Sequence, residues 1–300
     1  MSRAVVQQQD DTAALMRRVA GIRLLTVRLV NEQLSGDYHS SFKGQGIEFD
    51  EVRPYVPGDD VRAIDWNVTA RSGAPHIKRF AEERELTVMF LVDLSASGQF
   101  GTAGQLKNDL AAELCALLSF SAVKSNDKVG LILFTDRIER FIPPAKSVSH
   151  ALRIIREVLG FRPTGAQTDI AGALDFLGRV IRKRCVVFLV SDFQGEGFVK
   201  PMRVLSRKHD VIAVSVSDPR ELHLPDVGLL ELEDAETGEI VLVDTGSRAV
   251  RANYDRMGEQ QRSHLANTFR TMDVDQIELL TGDDYAKKLV HFFRRREKRR

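Results

Sequence analysis

The stretch Leu86–Ser97, LTVMFLVDLSAS, decides the fold. Seven residues of it, Leu86–Val92, form a run of apolar and β-favouring side chains with no polar alternation, as expected of a strand covered on both faces. It ends abruptly in Asp93-Leu94-Ser95-Ala96-Ser97. In an open parallel sheet, ligands bind beyond the carboxyl ends of the strands, so this Asp-x-Ser-x-Ser stands where a site is expected.

Working outward, the same strand-helix alternation repeats. Leu106, Leu110, Leu114, Leu117 and Leu118 mark a helix, Val129–Phe134 a second buried strand and Ile138–Ile142 a short edge strand. Val148–Leu159 and Asp169–Arg182 read as helices, Cys185–Val190 (CVVFLV) as a third buried strand, Phe198–Lys208 as a helix and Val211–Val216 as a fourth strand. Ser247–Thr271, Val274–Leu279 and Asp283–Phe293 give a helix, a last strand and a last helix. This rhythm predicts a three-layer, doubly wound α/β domain with a mostly parallel sheet over 86–293. Pro219–Ser247 interrupts it, and Leu229–Leu232 and Glu239–Val243 around AETG read as a hairpin.

Upstream, Leu15, Val19, Ile22, Thr26 and Leu29 recur at helical spacing within Asp10–Leu34, and SGDYHSSFKGQG then breaks the pattern, giving a helix and linker over 1–45. Residues 46–85 are dense in charge and punctuated by Pro57-Gly58-Asp59 and Ser72-Gly73, a pattern of short strands joined by turns. Trp66, Tyr55, Phe80 and Ile64 interleave with those charges, which predicts a small β-rich subdomain with its own core, drawing in the 219–247 hairpin. Its charges Arg53, Asp59, Asp60, Arg62 and Arg71 are candidates for partner docking, giving register and specificity more than affinity. The tail 294–300 is a short basic block, expected to be a solvated helix end.

Composition narrows the function classes. Lys+Arg 43 against Asp+Glu 42 leaves a net charge of +1, so no global field points to nucleic acid or an anionic membrane. No apolar run approaches the roughly 20 residues that span a bilayer, and the N-terminus lacks the apolar core of a signal peptide, so a cytoplasmic protein is expected. Cys115 and Cys185, the only 2 cysteines, exclude a disulfide framework and read as inert core thiols.

Two further loops offer oxygen ligands at the rim marked by Asp93. Asp192 follows the strand Cys185–Val190, and Gly165-Ala166-Gln167-Thr168-Asp169 precedes a helix. Asp93, Ser95, Ser97, Thr168 and Asp192 therefore form a candidate metal site, with Asp169 beside it. Oxygen-only donors suit a hard cation such as Mg²⁺ or Mn²⁺. No Gly-x-Ser-x-Gly elbow, His-Glu-x-x-His spacing or P-loop is present, and Gly101–Asp109 (GTAGQLKND) lacks the P-loop pattern. A catalytic constellation is thus missing from the sequence, although a metal-dependent phosphohydrolase stays open because such an ion also suits phosphoryl chemistry.

DLSAS, Thr168 in GAQTD and Asp192 in VSDF resemble the parts of the metal-ion-dependent adhesion site of von Willebrand factor type A domains. The run EFDEVRPYVPGDDVRAIDWNVTARSG, followed by KRFAEERELTVMFLVDLSAS, resembles the bacterial family catalogued as domain of unknown function 58, over nearly the whole chain. The resemblance implies a Mg²⁺ ion that takes a carboxylate from a partner protein. It also implies a role as adaptor or chaperone-like partner of a MoxR-type AAA+ ATPase, beside which such proteins are often encoded. A metal-free interaction scaffold is the other reading that keeps this fold.

Overall fold

The computed structural model describes residues 3–30, 38, 41–42, 48–81, 85–102, 104–233 and 238–299. Its centre is a six-stranded sheet in the order β10-β7-β6-β3-β4-β5. The strands are β3 (Thr87–Asp93), β4 (Lys128–Phe134), β5 (Ile138–Ala145), β6 (Val186–Ser191), β7 (Asp210–Ser217) and β10 (Asp275–Leu280). All neighbours are parallel except β5, which returns antiparallel on β4 as an edge strand.

Alternate residues of the central strands feed two different cores, the period-2 consequence of the pleat. On one face Val88, Phe90, Val92, Phe188 and Val190 pack with α3 (Lys107–Lys124), α4 (Val148–Gly160) and α9 (Tyr285–Glu297). On the other, Met89, Leu91, Val187 and Leu189 pack with α5 (Ile170–Val180), α6 (Val199–Ser206) and Phe269 of α8 (Arg248–Thr271). Helices on both faces of a mostly parallel sheet are the architecture expected from the strand-helix rhythm. Helix α1 (Arg3–Leu29) adds to the first layer. Val19 and Thr26 of its predicted stripe are buried, and Leu15, Ile22 and Leu29 pack against the same core.

The stretch read as a linker contributes to that core. Tyr38, Ser41 and Phe42 are buried. Tyr38 donates to Asp127 at 3.1 Å, Ser41 donates to the Phe293 carbonyl at 2.9 Å, and Phe42 stands edge-on to Phe293 with centroids 5.7 Å apart.

The charged segment differs from expectation. It holds one antiparallel ribbon, β1 (Glu48–Pro54) with β2 (His76–Ala81), and between them a helix, α2 (Trp66–Ser72). That helix exists because it is capped at both ends. Asp65 accepts from the Asn67 and Val68 amides, and Gly73 takes the left-handed conformation at φ +74° that closes a helix C-terminus. Trp66 is 69 % exposed rather than in a local core, and among the described residues of the segment the buried apolar one is Ile77. The Phe80 side chain lies outside the described residues.

The predicted hairpin forms as β8 (Leu229–Glu233) with β9 (Ile240–Asp244), but its sheet stays separate from β1–β2. Its Leu232, Val241 and Val243 instead line a groove with Val250, Tyr254 and Met257 of α8. A short helix, α7 (Pro219–Leu222), which the rhythm did not reveal, precedes it and is set by an Asp218–Glu221 capping box. Among the described residues no helix is long and apolar enough to cross a membrane.

The basic tail is corrected at Arg296. Helix α9 continues to Glu297, and the Arg296 side chain is only 8 % exposed. It pairs with Asp210 and Asp275 from β7 and β10, and its guanidinium lies 5.2 Å from the Phe42 ring centroid. Deleting it removes a buried guanidinium from two partly buried carboxylates, so Arg296→Ala is expected to destabilise the fold by about 2–4 kcal/mol. Arg299, whose side chain is 65 % exposed, pairs with Asp275 at the surface, and Arg299→Ala should cost about 0.5 kcal/mol or less. Urea unfolding of the two variants checks the contrast.

Candidate functional site

The order of the sheet selects the site. From β3 the chain moves outward to β4 and β5, then crosses back to β6 on the other side of β3 and continues to β7 and β10. The direction of winding therefore reverses between β3 and β6, and a crevice opens beyond their carboxyl ends. Register aligns Val92 with Val190, so the next residues in line are Asp93 and Ser191. The cleft there is lined by Asp93, Ser95, Ser97, Lys107, Ser191 and Asp192, and holds about 20 Å³, room for about one water-sized sphere.

Asp93 is the centre of the cleft. It is buried, and one carboxylate oxygen accepts the Ser191 hydroxyl at 2.7 Å and the Thr168 hydroxyl at 3.4 Å. The other accepts the Ser95 amide at 2.9 Å. Among the described residues no cation pairs with it. Burial is the main reason its carboxyl titrates at about 6 rather than 3.8; the Ser191 and Ser95 hydrogen bonds oppose the shift, and the neighbouring charge of Asp192 adds to it. Beyond the strand, Ser95 precedes a 3₁₀ turn (Ala96–Gln99), which places its Oγ 3.1 Å from that of Ser97.

The loop carrying Thr168 is pinned from several sides. Glu139 of β5 accepts from the Thr164 and Gly165 amides at 2.8 Å each and from the Thr135 hydroxyl at 3.0 Å. The Asp169 amide donates to the Thr135 carbonyl at 2.8 Å, and Ala96 donates to the Ala166 carbonyl at 2.9 Å. A Cβ at Gly165 would lie 1.9 Å from an Asp136 carboxylate oxygen and 2.3 Å from the Thr135 hydroxyl, so a larger residue there would have to displace both side chains. Asp169 itself caps α5, accepting from the Gly172 amide at 2.9 Å, rather than turning toward the cleft.

Asp192 reaches the cleft already paired. Its carboxylate accepts the Lys107 ammonium at 2.9 Å, and Lys107 also donates to Glu221 of α7 at 2.7 Å. Burial works against the charge on Lys107, but Asp192 and Glu221 together hold its pKa above the ordinary lysine value. Phe193, the next residue after Asp192, takes a left-handed conformation at φ +58°, costly for a bulky side chain. Its ring is held by Phe198 and Phe269, with centroids 5.6 and 5.0 Å away, and its amide donates to the Ser191 hydroxyl at 3.1 Å.

Four of the five predicted ligands thus converge by hydrogen bonds or adjacency, and Asp192 lines the same cleft tied to a lysine. Among the described residues no three His, Cys, Asp or Glu side chains group as a metal cluster. The donor set is instead one carboxylate with hydroxyls. In an octahedral shell at about 2.0–2.1 Å, neighbouring oxygens stand about 3 Å apart. The Ser95–Ser97 separation of 3.1 Å and the Thr168–Asp93 separation of 3.4 Å are compatible with that spacing.

Sequence reasoning missed Lys107 and Ser191. Lys107 lies three and seven residues before the buried Leu110 and Leu114, so helical spacing puts it on the buried face of α3. Ser191 closes an otherwise apolar strand.

The proposed docking charges divide. Arg53 and Asp59 form a two-pronged ion pair at 2.8 and 2.7 Å, which lowers the Asp59 pKa. Asp60 caps a 3₁₀ turn through the Arg62 amide. Arg62 and Arg71 are exposed, as is Trp66 between them. Both cysteines are free and buried; burial raises both thiols, Cys185 to about 12.

Known proteins align with this chain along most of its length. It is 33% identical over 285 residues to the uncharacterized proteins Rv1480 of Mycobacterium tuberculosis and Mb1516 of Mycobacterium bovis, covering 94% of this chain and 90% of each relative. Among solved structures, BatB from Bacteroides thetaiotaomicron is similar at 16% identity and a TM-score of 0.47, over 71% of this chain and 99% of that one. The VWA domain of SpRpn10 is similar at 10% identity and a TM-score of 0.33, over 44% of this chain and 76% of that one. Those scores are low, and the fold rests on the strand order itself. The family described as "Protein of unknown function DUF58" matches residues 51–264, a span that runs from β1 through the cleft into α8, and the chain belongs to that family.

Proposed function

We propose that this chain is a metal-dependent protein–protein interaction module, in which Asp93, Ser95, Ser97 and Thr168 hold a Mg²⁺ or Mn²⁺ ion at the crevice between β3 and β6. The observation that carries the reading is Asp93, a buried carboxylate with hydroxyls around it and no cation partner among the described residues. Such an ion would supply a Lewis-acid position for an acidic side chain of a partner protein. The family resemblance makes a MoxR-type AAA+ ATPase the first partner to test, with this chain as its adaptor or chaperone-like companion in the cytoplasm. Arg62, Arg71 and Trp66 form a second contact surface, because they are exposed while Arg53 and Asp59 hold each other. Exposed tryptophan and arginine are the residues most often found as anchors in protein interfaces.

The first test is calorimetric titration of Mg²⁺ and Mn²⁺ into chelator-stripped protein. Saturable binding that Asp93→Ala abolishes is the expected result, and equal heats from wild type and variant would sink the reading. Binding to a MoxR-type ATPase should likewise disappear with excess chelator and with Asp93→Ala. An interaction that survives both would leave a metal-free scaffold.

Proton linkage gives a second test. A cation must compete with the proton on Asp93, so affinity should fall about tenfold per pH unit below about 6. Titrations at pH 6 in buffers of different ionisation enthalpy should show about half a proton released on binding, and at pH 8 almost none. In the metal-free protein the folded carboxyl titrates above its ordinary 3.8, so the folded state binds the extra proton and this group's contribution to stability is lost as pH rises from about 4 through about 6. Asp93→Asn removes that cost. It is expected to stabilise the metal-free protein at pH 7.5 by about 1–3 kcal/mol while abolishing the metal response, as read by thermal unfolding with and without Mn²⁺.

A further inference from the structure

Lys107 is the first residue of α3, and only 4 % of its side chain is exposed. It shares the cleft with Asp93, Ser95 and Ser97, yet its ammonium is directed to Asp192 at 2.9 Å and Glu221 at 2.7 Å. Asp192 is equally enclosed, with 5 % of its side chain exposed, and its second oxygen accepts the Gln194 amide at 3.3 Å. A cation in the cleft could recruit Asp192 only by taking it from a buried ammonium, and breaking a buried pair leaves an uncompensated charge.

We propose that Lys107 is the built-in counter-ion of the cleft: it keeps Asp192 out of the coordination shell, so that Asp93 alone supplies negative charge to the bound ion. The inference rests on the divalent-cation reading above and concerns what this chain's own lysine does to that site. A divalent ion held by one carboxylate and neutral hydroxyls retains net positive charge. One held by two carboxylates is neutralised. The first arrangement holds the ion less tightly and draws a partner's carboxylate more strongly, because the unbalanced charge is left for the partner to satisfy. Lys107 thereby trades affinity for the ion against affinity for the acidic partner. Through Glu221 it also anchors α7, the element that leads into the β8–β9 hairpin.

The test is Mn²⁺ affinity, measured by calorimetry on the chelator-stripped full chain. Asp192→Asn keeps Lys107 paired with Glu221, so the fold retains its buried contact. This variant should bind Mn²⁺ within about threefold of wild type, whereas losing a ligand costs about 10–100-fold or more. Lys107→Met frees Asp192 and should tighten Mn²⁺ binding by about tenfold, and adding Asp192→Asn to it should cancel the gain. Lys107→Arg keeps the charge and should stay near wild type. A tenfold or greater loss in Asp192→Asn, or a Lys107→Met protein that folds and binds no tighter, overturns the inference while the cation site stands. If Lys107→Met does not fold, the Asp192→Asn result decides alone. Uptake by Lys107→Met but not by wild type overturns the inference, because Asp93 and the hydroxyls alone would then hold no ion. Absence of Mn²⁺ uptake by all five proteins removes the cation reading and this inference together.

Discussion

Strand β3 carries a carboxylate out of water at the one place where the sheet's winding reverses. The central position of β3, covered on both faces by helices, makes the burial of Asp93 unavoidable once the strand order is set. A buried ionised carboxylate needs donors, and much of the rim is organised to provide them. Ser191 comes from the facing strand, Ser95 from the turn that follows, and Thr168 from a loop whose path Glu139 fixes from below. These donors reduce the cost of burying the charge without cancelling it, since its pKa remains raised to about 6. Perturbed carboxylates of this kind cluster at functional sites, where burial and neighbouring charge are arranged together.

The rim also shows how a sheet edge made of loops becomes rigid. Asp218, buried after β7, accepts from the Thr102 amide at 2.8 Å and from the Thr281 hydroxyl after β10. Lys107 links the segments that follow β6 and β7. The connections beyond β3, β6, β7 and β10 are therefore tied to one another by charge-assisted hydrogen bonds. Such bonds fix direction as well as distance, which positions oxygen donors more tightly than side-chain packing would.

The sheet was legible because its information is local. Runs such as LTVMFLV and CVVFLV state burial on both faces, and the helices between them state their spacing. The candidate ligands were legible for a related reason, since Asp93, Ser95, Ser97 and Asp192 come just after such runs and Thr168 stands just before a helix. What escaped was relational. Lys107 looks like an ordinary surface lysine near a helix start until Asp192 and Glu221 arrive from segments far along the chain to receive it. Arg296 looks like part of a basic tail until Asp210 and Asp275 meet it. The helix Trp66–Ser72 was hidden because Gly73, read as part of a turn, is its C-terminal cap, and Asp65, one charge among many in that segment, is its N-terminal cap. Trp66 was drawn toward a core by its size alone, whereas the segment buries Ile77.

The meeting of the two ends of the chain sets an order of events during synthesis. Ser41 donates to the Phe293 carbonyl, Phe42 packs on Phe293, and Arg296 lies over the Phe42 ring. The aromatic layer beneath β3 and β6 thus stays uncovered on the ribosome until the last helix has emerged, although its N-terminal half is made first. Contacts of such sequence separation are slow to close and leave apolar surface open meanwhile. A stop codon shortly before Tyr285 would leave all six sheet strands intact yet strand this layer in water, so quality control would see a chain with a complete sheet as unfolded.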